Sequence, residues 1–408
     1  MAATARRPSS AGTKGRSTRW GMVFMQSLFS SFHHGPHPWS SIGYPTNMQR
    51  SKRSLTLKDP LPWLLILAVV AVAASFAIPS IFIKRDLPLP LDVTLNTVAV
   101  APDSLVLMSR DERPHRTEVT LDCKMSTSVS DSAEKDSVAT VDTLVKVFAD
   151  EALIMEMTDS LHVNRESTYP VEGSANLQII TVENFGVGAT KENTYRQGLT
   201  AFFPSNTEQR SYLYYDSIRQ ADYPLDYTGK EKIDGVEVYV YQHTLPAVYI
   251  PFSSVKTPPP GIDPEDVAPE PLVMEAKYLY TEPELSALGL DPEEIVTVLP
   301  YYSVDRLVKV EPRTGTVVDL HENYHLFLDT DEKRARATVD LGIRPVYRAI
   351  FDGDLRWDRP SREAAMALAT PVLRREEVLS TLALVLKLIG VLLLIAAAVL
   401  FAARRQQA

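Results

Sequence analysis

Two apolar stretches near the ends of the chain frame a long middle in which apolar and polar residues alternate over short distances. The first, residues 61–83, carries no charge. At ~1.5 Å per residue it reaches ~34 Å, enough to cross a hydrocarbon core of ~30 Å. The second runs from Leu379 to Ala403 and is interrupted only by Lys387. Both are expected to be membrane helices, with Lys387 close enough to the outer end to snorkel. Between them, residues 117–125, 139–148, 153–157, 177–182, 236–241, 273–280, 306–310 and 316–320 are short, β-branched or aromatic runs separated by polar turns. They predict a mostly antiparallel sheet. Val236 to Tyr241 is apolar on both faces except for Glu237, which places it in the middle of a sheet or along an apolar lumen.

Helix signals are fewer. Thr281-Glu282-Pro283-Glu284 and Asp291-Pro292-Glu293-Glu294 each combine a capping residue, a first-turn proline and an acid at the third helical position. They predict two short helices within 282–299. Residues 361–369 predict another, ended by Pro371 before the second membrane helix. Residues 257–271 hold six prolines and little to bury, so they are expected to form an exposed loop.

Charge adds a direction. Residues 1–60 contain nine Lys/Arg and one acid, and Arg404 and Arg405 follow the second stretch. Residues 61–377 contain 50 acids against 30 bases. Basic residues resist translocation, so both termini are expected in the cytoplasm and the acidic middle outside it. The expected organisation is a disordered basic tail (1–60), a membrane helix (61–83), an extracytoplasmic domain (84–377, with the loop at 257–271), a second membrane helix (378–403) and a short cytoplasmic tail (404–408). The first apolar run is too long for a signal-peptide core of ~7–15 residues, so an uncleaved anchor is expected. Its basic lead-in from Met48 predicts translation starting there.

Candidate chemistry is sparse. No nucleophile elbow, zinc-protease motif, phosphate loop or dinucleotide fingerprint occurs. His321 and His325 lie in a strand-like run, where four residues span ~13 Å, too far to share a metal. The HHGPH tract at 33–37 reads as solvated tail. Asp216, Asp305 and Glu311 are plausible acids scattered among many. Cys123, the single cysteine, is expected to be buried and inert. No enzyme activity, cofactor or metal is expected, and the acidic middle would repel nucleic acid. Aromatic residues recur in the strand-like segments. Ordinary core packing accounts for most of them, and Phe202, Phe203, Tyr212, Tyr214, Tyr239 and Tyr241 are the candidate walls of an apolar cavity.

Residues 195–216 (YRQGLTAFFPSNTEQRSYLYYD), 227–242 (YTGKEKIDGVEVYVYQ) and 304–318 (VDRLVKVEPRTGTVV), in that order between two terminal membrane helices, resemble the actinobacterial PorA-like family, which includes a mycobacterial and corynebacterial lipoglycan-maturation factor. The resemblance covers roughly residues 48–405. It implies a β-rich domain similar to that of class B scavenger receptors and the lysosomal integral membrane protein, with an apolar tunnel. It also implies a role in lipomannan and lipoarabinomannan maturation, with membrane lipid or lipoglycan precursors as ligands and envelope glycosyltransferases as partners. Asn164-Arg165-Glu166-Ser167 departs from the Asp-Arg-x-Thr pattern expected there.

The expectation is therefore a plasma-membrane α+β protein, mostly antiparallel β with short helices, that binds or carries lipid in lipoglycan maturation. The alternatives are a scaffold for envelope synthases without a ligand, a porin, or an envelope hydrolase. The porin label sits poorly with the pattern, because an outer-membrane barrel crosses the bilayer with strands and not with long apolar helices.

Overall fold

The computed structural model describes residues 60–83, 85–108, 113–130, 137–181, 188–250 and 272–407. The basic tail, with Met48 and the HHGPH tract, and the proline-rich loop at 257–271 lie outside the described residues.

The first apolar stretch forms α1 (Pro60–Ile78) and a π-helical turn (Pro79–Ile83). Six strands follow: β1 (Thr94–Val106), β2 (His115–Val129), β3 (Val138–Ala149), β4 (Ala152–Asn164), β5 (Ala175–Thr181) and β6 (Gly188–Thr194). The chain then crosses through residues 195–211 to β7 (Tyr212–Asp216), β8 (Ala221–Ile233) and β9 (Val236–Tyr249). Beyond the loop lie β10 (Leu272–Glu275), α2 (Ala276–Leu279), α3 (Glu282–Leu288), β11 (Ile295–Glu311), β12 (Thr316–Asp329), α4 (Glu332–Asp340), β13 (Ala349–Trp357) and α5 (Arg359–Gln406).

The strands join in one antiparallel sheet in the order β6-β5-β4-β3-β2-β1-β13-β12-β11-β9-β8-β7, with β10 added beside β11. The expected α+β class, dominated by antiparallel strands and flanked by two apolar helices, is the one observed. The first strand pairs with the last, Ala99 opposite Trp357 and Val106 opposite Phe351. That pairing puts the two chain ends side by side, so α1 enters and α5 leaves next to each other. Tight turns keep the hairpins in register: Asp234 and Gly235, both at positive φ, close β8 onto β9. β9, whose first six residues are apolar on both faces except for Glu237, lies in the interior of the sheet, as does β11.

The sheet is curled. Arg196, in the crossing segment, donates from Nη1 and Nη2 to Asp159 of β4 at 2.7 and 2.8 Å, and its guanidinium lies 4.0 Å from the ring centroid of Tyr215 in β7. β4, two strands in from one end of the order, and β7, at the other end, thus meet through one side chain, giving an open half-barrel crossed on its inner side by residues 199–203.

Three expectations are corrected. Asp291–Glu294 is a turn and not a helix, because Ile295–Val298 pair with β10 and this pairing outweighs the local cap signature. Residues 273–280 are strand only to Glu275 and then form α2. Pro371 lies inside α5, which continues through it to Gln406. A proline removes one helical hydrogen bond at ~3 kcal/mol, and the helix-forming residues on either side carry the helix past it. The Thr281 capping box does form, with Glu284 as its reciprocal partner.

α5 has 48 residues, ~72 Å at 1.5 Å each and more than twice the hydrocarbon thickness. Its first turns pack on the sheet, with Ser361, Ala365 and Ala369 buried and Ser361 Oγ accepting from Val98 N at 2.6 Å. Its last half packs on α1, and Lys387 Nζ lies 5.1 Å from the ring centroid of Phe76. The β11–β12 turn fastens this junction: Arg313 pairs with Glu376 of α5 and donates to Arg85 O at 3.1 Å and Asn206 Oδ1 at 3.2 Å. Gly315 in the same turn, at φ 75°, leaves no room for a Cβ, which would sit 2.0 Å from Phe203 O.

Gly315→Ala combines a left-handed backbone with a backbone clash and is expected to destabilise the fold by ~3 kcal/mol, at the top of the usual range for single substitutions. Thermal unfolding in detergent checks it. A Cβ on Gly390 would meet Val72 Cγ2 at 2.6 Å. Gly390→Leu is therefore expected to separate α1 from α5 at a cost of ~1–3 kcal/mol, seen as loss of cysteine cross-linking between the helices while the sheet's circular dichroism is kept.

Candidate functional site

Alternation along each strand turns one set of side chains to the inner side of the curl. There Leu121, Met125, Val145, Met155, Met157 and Leu355, contributed by β2, β3, β4 and β13, face Tyr214 of β7 and Arg306 and Val308 of β11 across a cavity of about 210 Å³. Phe202, on the crossing segment, closes another side. The walls are mostly apolar, with two methionines whose unbranched side chains adapt to irregular shapes.

A charged group is built into this apolar wall. Arg306, 3% exposed, pairs through Nε with Glu322 of β12 and through Nη2 with Asp216 Oδ2 at 3.2 Å. Tyr302 donates to the same Asp216 oxygen at 2.9 Å, and Arg219 N donates to Asp216 Oδ1 at 2.7 Å. The guanidinium carbon lies 4.8 Å from the ring centroid of Tyr214. Burial opposes the charge on Arg306, and Glu322 leads the groups that overcome it and hold the guanidinium protonated. Burial pushes the Tyr214 hydroxyl up to about 12 and the Cys123 thiol, also on the wall, up to about 11. Both stay protonated at neutral pH, and Cys123 is not a thiolate nucleophile. Tyr214 is surrounded by protein yet keeps part of its surface free, because that part faces the cavity.

Of the six aromatic residues singled out from the sequence, the structure puts Phe202 and Tyr214 on the cavity. Phe203, Tyr212 and Tyr241 form a packed core cluster behind it, with ring centroids 5.0–5.8 Å apart. Their polar ends are satisfied there: Tyr241 OH donates to Glu208 O at 2.6 Å and Tyr212 OH accepts from Glu208 N at 2.8 Å. Tyr239 is half-buried at the rim of that cluster, its hydroxyl accepting from Gln209 Nε2 at 3.2 Å.

The candidate acids do not come together. Asp216 neutralises Arg306, Glu311 accepts from the Arg313 and Thr314 amides in the β11–β12 turn, and Asp305 is exposed. His321 and His325 both lie in β12, paired with Asp354 and Asp352 of β13. Among the described residues, no group of three or more His, Cys, Asp or Glu side chains could hold a metal. Arg306, Glu322, Asp159 and Arg196 escaped the sequence reading. The signal for two of them was a charge on the inward phase of an apolar strand, in VDRLVKV and DLHENYH; nothing local marked Arg196 or Asp159.

Comparison with known proteins gives the family. The family model described as Porin PorA matches residues 62–399. A protein named Porin PorA from Corynebacterium amycolatum is 22% identical, the match covering 74% of this chain and 88% of that protein. Another of the same name from Corynebacterium resistens is 27% identical over 52% of this chain and 57% of its own length. A solved β-barrel-like protein of unknown function from Brucella abortus aligns at 8% identity, covering 66% of this chain and 99% of its own, but its TM-score of 0.19 carries no argument. Both curated relatives are named porins and neither is named for lipoglycan maturation. The expected role as a carrier of lipid or lipoglycan precursors is thereby overturned, and the porin reading, set aside on the strand pattern, takes its place. With two helices able to cross a membrane and a family match that spans nearly all of the described chain, this is a membrane protein belonging to the PorA family.

Proposed function

We propose that the protein acts as a porin-type component of the cell envelope, giving small solutes a route across a membrane without chemical conversion. The observation that carries this reading is the family match, which takes in the helix pair and the half-barrel as one unit. The basic residues before α1 and after α5 favour cytoplasmic ends and a half-barrel on the outer side.

The architecture constrains how such a route would be made. The strands are suited to water and not to lipid: β2 exposes Asp122 and Lys124, and β8 exposes Asp226, Lys230 and Lys232. At a bilayer midplane each of these lysines would cost ~2–4 kcal/mol against hydrocarbon, and the aspartates less. The lipid-grade surface is on α1 and α5, and one copy's two helices pack directly on each other around Gly390 and Val72, leaving no lumen between them. An aqueous path would therefore be lined by helices of several copies, with the half-barrels as vestibules at its mouth.

The purified full chain in planar lipid bilayers is expected to give stepwise conductance that rises more steeply than linearly with protein concentration. Solute-swelling assays on liposomes carrying the protein should report the same permeability. Bilayers and liposomes no more permeable than protein-free ones would overturn the reading, and conductance strictly proportional to concentration would overturn the multi-copy route.

A further inference from the structure

One charge stands where the fold gives it nothing to pair with. Lys387 lies within the second apolar run, and its side chain is exposed on α5. Arg313 bonds both Arg85 O and Glu376, which holds those two residues at one level and marks the outer end of both spans. Phe76 is nine residues inside Arg85 and Lys387 eleven inside Glu376. At ~1.5 Å per residue they lie ~13–16 Å below that level, against a half-thickness of ~15 Å for the hydrocarbon. Lys387 Nζ is 5.1 Å from the centroid of the Phe76 ring, and among the described residues it meets no acceptor and no carboxylate. The expected snorkelling to the headgroups therefore does not account for it.

A cation at this depth is costly unless it faces water, a bundle interior or an opposite charge. Its surroundings decide among these. Ala383, Gly390 and Ala397 are buried on the line of α5 that packs on α1. Lys387 is ~40–60° round the helix from that line, beside the seam. Leu384, Val391 and Leu394 share its stripe, and Val69, Ala73 and Phe76 form the facing stripe on α1, all exposed. These two stripes are the walls of a groove along the helix pair. Apart from Lys387 the walls are hydrocarbon, so water has no other polar group to hold it there. A second copy of the chain supplies no counter-charge, because residues 61–83 and 379–403 contain no acid. What complements both the cation and the apolar walls is a helix of a different protein, apolar along one face and carrying a carboxyl group.

We propose that the groove between α1 and α5 is a docking surface for a transmembrane helix of another membrane protein, whose Asp or Glu side chain, at the depth of Phe76, pairs with Lys387. Such a pair selects partner and register together, since it forms only when the two charges meet at one depth. The inference does not rest on a conducting route, and every group it uses belongs to the helix pair.

Förster transfer in liposomes tests it, between the full chain carrying an acceptor dye on Gln407→Cys and donor-labelled synthetic helices of leucine and alanine. Gln407 is exposed, and the Cys123 thiol, protonated at neutral pH, does not compete for the dye. One helix carries Glu at its midpoint, the second Gln at that place, and the third Glu three residues from one end. The midpoint Glu helix is expected to associate at least tenfold more tightly than either of the others. Lys387→Arg should keep that preference. Lys387→Leu, which makes the span more apolar and so favours insertion, should bring the Glu helix to within threefold of the Gln helix. Equal association of the Glu and Gln helices, or a preference that survives Lys387→Leu, would overturn the proposal. Water is the rival occupant, and a charged methanethiosulfonate applied to Lys387→Cys in nanodiscs detects it. Reaction at least tenfold slower than at Gln407→Cys is expected, because a thiol facing hydrocarbon stays protonated; a faster reaction would put water beside residue 387 and overturn the docking surface.

Discussion

A buried guanidinium must be neutralised, and the way Arg306 is neutralised dictates how the sheet bends. Its partners come from the end of β7 and from β12, while its own strand, β11, lies between. Removing one partner of such a buried pair costs ~3–5 kcal/mol, because the other charge is left uncompensated in low dielectric. A flat sheet would hold Asp216, at the far edge strand, away from β11. Satisfying Arg306 therefore brings the β7 edge inward, and Arg196 does the same from the other side by joining Asp159 of β4 to Tyr215. The cavity is the space these two cross-ties enclose, which is why its walls are mostly apolar strand residues with Asp159, Arg306 and Glu322 of the ion pairs set among them.

A second constraint comes from the two ends of the chain. Both helices must reach the same bilayer, and the sheet meets that demand by pairing β1 with β13 at its centre. The helices then leave from beside neighbouring strands and pack on each other. Arg313 closes the junction, tying the turn between β11 and β12 to α5 and to Arg85, just beyond the π-helical turn. The hairpin that carries Arg306 and Glu322 at its middle is thus anchored at its tip beside the membrane, so the cavity and the helix pair share one rigid element.

That arrangement bears on the family's porin name. A barrel that crosses a membrane on its strands has its lipid face and its lumen on the same strands. Here the two tasks are divided: helices provide the lipid face, and strands provide a water-facing domain with its own small interior. On the proposed porin reading, a route across the bilayer would belong to an assembly of helices, and selectivity to what the half-barrel admits.

The sequence by itself determined the parts that depend on local pattern. Two long apolar runs, broken only by Lys387, specified the helices, because nothing else satisfies their backbone in lipid. Alternation specified most strands, and the doubly apolar VEVYVY correctly marked an interior strand. Thr281 and Glu284 marked α3, since a capping box is closed within four residues. What failed were local signals overruled by distant pairing: the cap at Asp291 yielded to the β10–β11 ladder, and Pro371 failed to stop a helix held by Ser361 on β1. The aromatic residues could be named but not sorted, because Phe202 and Phe203 are adjacent and only the curl decides that one faces the cavity and the other the core. Only the tertiary structure could bring Arg196 to Asp159 or Asp216 to Arg306, pairs 37 and 90 residues apart. Ion pairs across such separations leave no periodicity in a single sequence, and they are what make the site.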